Sequence, residues 1–217
     1  YNLSGGTFSG SSDIDVSGVL TWTGGTMSGE GTTRALGGMS LSGDWRTLTL
    51  SQGRLANPAT ATWTSGSITI GQGGVLDNTG TFDVQTDHDI RGAGTVENAG
   101  TFRKSAGVGE TDISSTFTNT GTVDVQFGTV GLSGGGSGSG SSVYEGDGRV
   151  RFGSDHTLAT GSQVTARLVE FSGGTVNVNG TYDLNGSDTS TTVTGGTTNF
   201  NTDADVLDVG DTLSISG

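Results

Sequence analysis

The stretch LDNTGTF, Leu76–Phe82, returns as VENAGTF at Val96–Phe102 and as FTNTGTV at Phe117–Val123. Aligning the copies puts Asn57, Asn78, Asn98 and Asn119 in one column, spaced by 21, 20 and 21 residues. Two residues before each Asn stand Leu55, Leu76, Val96 and Phe117, and four residues after it Ala61, Phe82, Phe102 and Val123. Thr60, Thr81, Thr101 and Thr122 hold the position three after the Asn. Six after it come Trp63, Val84, Lys104 and Val125, so Lys104 is the one break in an apolar column. Repeats at a fixed short period are the signature of architectures that stack one supersecondary unit on the next.

Within each copy apolar and polar residues alternate, which is strand periodicity, and the density of Gly and Thr argues against helix. A period near 20 residues built from short strands matches one turn of a parallel β-solenoid, each turn rising about 4.8 Å on the last. Stacked Asn side chains can donate and accept along the axis. The glycines two residues on, Gly80, Gly100 and Gly121, are expected to supply a positive φ. These Asn and Gly residues are the expected structural ladder.

Further copies run beyond the Asn motif. An apolar residue, a polar one and Gly-Gly-Thr recur at Leu3–Thr7, Trp22–Thr26, Phe171–Thr175 and Val193–Thr197, with spacings of 19 and 22 in the two pairs. Alternating pairs such as Ile68/Ile70, Val150/Phe152 and Val176/Val178 fill the gaps. The expected fold is therefore all-β, a single-chain parallel β-solenoid of about 20 residues per turn. Residues 1–217 would make roughly ten or eleven turns, a rod of about 50 Å. The Gly/Ser-rich run 132–142 reads as a loop within one continuous solenoid rather than a linker between domains, because alternation resumes on both sides.

Composition agrees. Of 217 residues 42 are Gly, one is Pro, none is Cys, and 29% are hydrophobic, too few for a thick central core. No apolar run approaches the length of a membrane span, and no signal peptide lies in this window. The chain starts and stops in mid-pattern, as a segment of a longer protein would, and LSISG at Leu213–Gly217 echoes NLSGG at Asn2–Gly6. The net charge is −13, with 22 acids against eight Arg and one Lys. That field repels phosphate and excludes nucleic acid as a partner. Few lysines among many Asp fit either a saline habitat or ordinary acidic solubility.

The stretches LTWTGGTMSGEGTT (20–33), FTNTGTVDVQFGTVGLSGGGSGSG (117–140) and FSGGTVNVNGTYDLNG (171–186) resemble the β-strand repeats of very large secreted and surface-anchored microbial proteins. The chain is also similar to the passenger regions of autotransporter adhesins, which form right-handed parallel β-helices. The resemblance implies an extracellular or cell-surface stalk or adhesive segment. Its partners would be neighbouring repeats, surface glycans or other cells, and its open ends could associate end to end.

Chemistry is thin. The two His residues are His88, between Asp87 and Asp89 in TDHDI, and His156. Strand alternation would put His88 and its flanking acids on opposite faces, and no nucleophile elbow surrounds any Ser. The chain therefore reads as no enzyme, without a cofactor. Asp203, Asp205, Asp208 and Asp211 are the candidate calcium ligands, although their spacing matches neither an EF-hand nor a calcium-binding nonapeptide. Trp45 and Tyr144 break the alternation and are expected to face outward, where aromatics would serve a polysaccharide-binding or polysaccharide-degrading module. A lesser alternative is an ice-binding face of Thr ladders, suggested by TWT and TLT. Asn2, Asn179 and Asn185 sit in sequons.

Overall fold

The computed structural model of the chain describes residues 1–44 and 46–216, and every regular element among them is a β-strand. The architecture is a parallel β-solenoid. In one interior turn Gly74–Asn78, Thr81–Val84 and Ile90–Arg91 follow one another on three faces. Each strand then pairs in parallel with its counterpart one turn on: Gly74–Asn78 with Thr95–Asn98, and Thr81–Val84 with Thr101–Lys104. The first face is a ten-stranded sheet, called the Asn face below. The second and third faces join in a twenty-stranded sheet. They join because Asn2–Ser9 and Leu20–Ser28 run through both without a break.

Stacking turns the sequence columns into physical ones. On the Asn face Leu55, Leu76, Val96 and Phe117 lie over one another. On the second face the column is Leu20, Met39, Ala61, Phe82, Phe102, Val123, Tyr144, Val164 and Tyr182. On the third, Ile68, Ile90, Ile113, Leu132, Phe152 and Phe171 follow in register. All of these side chains are buried. Each large one contributes about 1.5–3 kcal/mol by leaving water, so a thin core that recurs every turn replaces a single thick one. Phe82 and Phe102 stack with centroids 5.5 Å apart and planes 3° from parallel.

Three expectations change. Gly80, Gly100 and Gly121 are absent from the positive-φ glycines. They are needed for a different reason: a Cβ on each would press into a carbonyl oxygen of the preceding turn, those of Ala59, Gly80 and Gly100. Tyr144 does not face outward. It is fully buried between Val123 and Val164, because it stands 21 residues after Val123, one turn along the same column. Trp45 lies outside the described residues. The Gly/Ser run 132–142 is not a looped-out excursion: Gly136–Gly138 forms a strand of the Asn face, pairing with Phe117–Asn119 on one side and His156–Leu158 on the other.

At the last described turn Phe200, Val206, Leu213 and Ile215 continue the inward columns yet are exposed, since no further strand among the described residues lies over them.

Candidate functional site

The most ordered polar feature is the Asn ladder. Asn57 Nδ2 donates to Asn78 Oδ1 at 2.8 Å, Asn78 Nδ2 to Asn98 Oδ1 at 2.7 Å, and Asn98 Nδ2 to Asn119 Oδ1 at 2.8 Å. Each of these amides also donates to a backbone carbonyl of the next turn, at Thr81, Thr101 and Thr122. Buried amides are thereby satisfied along the axis, where an unpaired one would cost about 1–3 kcal/mol. The ladder has two ends. The register that pairs Arg34 with Ala56 brings Ala35 before Asn57, and Asn57 Oδ1 is left without a partner. At the other end Asn119 meets Gly138, and the Tyr144 hydroxyl fills the space that a Gly138 side chain would take.

Lys104 interrupts the apolar column and is buried all the same. Its Nζ donates to Thr86 O at 2.7 Å, Asp87 Oδ1 at 2.7 Å and Thr111 Oγ1 at 3.1 Å. An ammonium in a low-dielectric interior needs such a set of acceptors. Burial raises the Asp87 carboxyl's pKa, but hydrogen bonds from Lys104 and the Gly109 amide outweigh it and hold the group below its ordinary value. In TDHDI, then, Asp87 serves Lys104, Asp89 accepts from the Asp112 amide at 3.2 Å, and His88 is exposed. No acid–His pair is assembled there.

The outward surface is laced with ion pairs between turns. Arg54 bonds Asp77 at 2.7 Å and Glu97 at 2.8 Å, Arg103 bonds Asp83 at 3.0 Å, and Arg149 bonds Glu170 at 2.6 Å. Arg151 reaches across Gly131 to Glu110 and Asp112, and a side chain at Gly131 would stand in its path. Burial raises the Asp83 pKa, yet hydrogen bonds from Ser105, Gln85 and Arg103 bring it below the usual carboxylate range.

The four calcium candidates do not converge. Asp205 and Asp208 bound the second-face strand of the last turn, where Asp208 Oδ1 accepts from the Gly210 amide at 2.7 Å. Asp211 Oδ2 instead accepts from the Asp188 amide at 2.7 Å, and Asp203 is exposed in the turn before Asp205. Among the described residues no group of three or more His, Asp or Glu is arranged to hold a metal ion.

Two lateral features were only partly legible beforehand. An open hollow of about 770 Å³ is lined by Asp124, Glu145, Asp147, Arg167, Asn185 and Asp188, drawn from successive turns. A neighbouring hollow shares Asp124 and Asp147 and adds the exposed ring of Phe127. Phe127 is an outward aromatic that sequence reasoning missed; its place at the Gln126–Gly128 corner, after Val125, could have marked it. On the third face Thr7, Thr26, Thr49 and Thr69 stack in register, and Arg91 takes the next position and ends the hydroxyl ladder.

No helix among the described residues is long and apolar enough to cross a membrane. Comparison with family models, curated proteins and solved structures finds no match to the chain.

Proposed function

We propose that the chain is a shaft: a rigid, non-catalytic segment of a secreted or cell-surface repeat protein that spaces or presents other parts of it and contributes to adhesion. The supporting observation is continuity. Parallel pairing and the inward columns run from the Asn2–Ser9 turn to the Thr212–Ile215 turn, and ion pairs tie neighbouring turns along the outside. A rod whose every interior turn is fastened to two others resists bending and needs no large core. Its carboxylate-rich surface keeps such rods apart in solution.

Two experiments test the reading. Small-angle X-ray scattering on the purified chain should give a rod about 50 Å long. Antibodies raised against it should label intact cells of the source organism. A compact sphere, or labelling only after cells are broken open, would overturn it.

The paired lateral hollows favour a second reading, a glycan-binding wall. Asp124, Glu145, Arg167 and Asn185 offer hydrogen-bonding groups from successive turns, and Phe127 offers an apolar platform. A glycan array separates the readings: retention of defined oligosaccharides that is lost in Phe127→Ala supports the wall, and a blank array supports the plain shaft.

A further inference from the structure

The turn holding His156 differs from the rest of the stack. His156 occupies the inward column of the Asn face, between Gly136 of the turn before and Val176 of the turn after. It is 2% exposed, and neither ring nitrogen has a hydrogen-bond partner. Its ring packs edge-on against Phe152 at 5.3 Å, and Phe152 in turn packs against Tyr144 at 5.4 Å. The Tyr144 hydroxyl is likewise buried, near Asn119 and Ser142 but without a well-formed hydrogen bond to either. The preceding strand, Gly136–Gly138, has no side chain at either inward position. Unpaired polar groups and a strand with no inward side chains therefore meet at one level of the rod.

We propose that this level is an acid-triggered break: protonation of the His156 ring inside the core loosens the solenoid between the Gly136–Gly138 and His156–Leu158 strands. The idea rests on the shaft reading for its significance but not for its physics. Most of the groups packed on the ring offer an imidazolium nothing to bind. The strands above and below contribute Gly136 and Val176, and the core opposite contributes Phe152 and, beyond it, Tyr144. Asp155, beside it on the exposed side, and the Ser154 backbone, which lies near the ring without closing a hydrogen bond to either nitrogen, are the neighbours that favour the charged form.

Burial outweighs these and lowers the His156 pKa from 6.5 to about 4. The direction of the linkage follows. Between those values the unfolded chain carries a proton on this ring that the folded chain does not. Stability from this group is full above pH 6.5, falls with pH below that, and levels off below about 4. Over that window the folding equilibrium shifts by roughly 300-fold toward opening.

The chain has two His residues, so ring proton signals are readily assigned, with the exposed His88 as reference. In an NMR titration the His156 signals should stay those of a neutral ring down to about pH 4, or vanish as the protein opens. A His156 signal that titrates near pH 6 in the folded protein overturns the proposal. Brief pepsin digestion between pH 5 and pH 3 should cut first between Leu132 and Phe152. First cuts at the rod ends, or none in that range, also overturn it, and a rod that stays whole at pH 3 leaves the shaft reading untouched. His156→Leu should abolish the acid-dependent cutting while leaving stability at pH 7.5 unchanged or higher. If that variant does not fold, the titration and the digestion of the native chain decide the matter.

Discussion

Asn98 and Asn57 carry the same side chain in the same column, yet their surroundings assign them different energies. Asn98 accepts from Asn78 and donates to Asn119 and Thr122, whereas Asn57 has an amide with two acceptors and an oxygen with no donor. Asn98→Leu should cost about 2 kcal/mol and Asn57→Leu about half of that, read from urea midpoints at pH 7.5. Equal costs would mean that the ladder bonds are not what holds the column. Lys104 makes the opposite case. Lys104→Met keeps the volume and leaves Thr111 bonded to Thr86 O, so stability should stay within about 1 kcal/mol of the native chain or rise. Asp87→Ala strands the buried ammonium and should cost about 3 kcal/mol. The spacing of the Asn residues was readable because one residue type recurs at one interval. The acceptors of Lys104 were not, because Thr86 and Asp87 come from an irregular segment that carries no period.

At the scale of the strand and turn, the column outlives the motif. Tyr144 keeps the 21-residue step from Val123 although its turn has lost the Asn-x-Gly corner. The interval was the better guide, and reading Tyr144 by its break in local alternation sent it to the wrong face. The same turn explains Gly138. A Cβ there would meet the Tyr144 hydroxyl at 2.8 Å and Ser142 Oγ at 2.6 Å, so Gly138→Asn alone should destabilise the chain by about 1–3 kcal/mol. Adding Tyr144→Val empties the space, and the new amide can then accept from Asn119 and extend the ladder by one rung. The double variant should recover at least half of the loss, a coupling a double-mutant cycle measures directly. Simple additivity would show that Tyr144 and Gly138 do not share that volume. The Gly/Ser composition of 132–142 concealed this strand, since glycine gives no alternation to read while its backbone pairs like any other.

For the whole molecule, period and alternation were enough to give the solenoid, its approximate turn count and the lack of helix. They could not give which outward residues meet at a corner. Arg151 with Glu110, or Arg167 with Asp188, are brought together by the stacking of successive turns, whose length varies between 18 and 24 residues. The central claim is that the chain climbs one strand spacing per turn without a break, and the absence of native Cys allows it to be measured cleanly. Thr60, Thr81, Thr101, Thr122, Val143, Gln163, Thr181 and Asp205 form one outward ladder. Nitroxide labels on Thr60→Cys/Gln163→Cys lie five turns apart on it, and labels on Thr60→Cys/Asp205→Cys seven. Pulsed electron–electron resonance should return narrow distributions near 24 Å and 34 Å, in the ratio of the turns crossed. Broad distributions, or a second pair no farther apart than the first, would contradict the continuous stack.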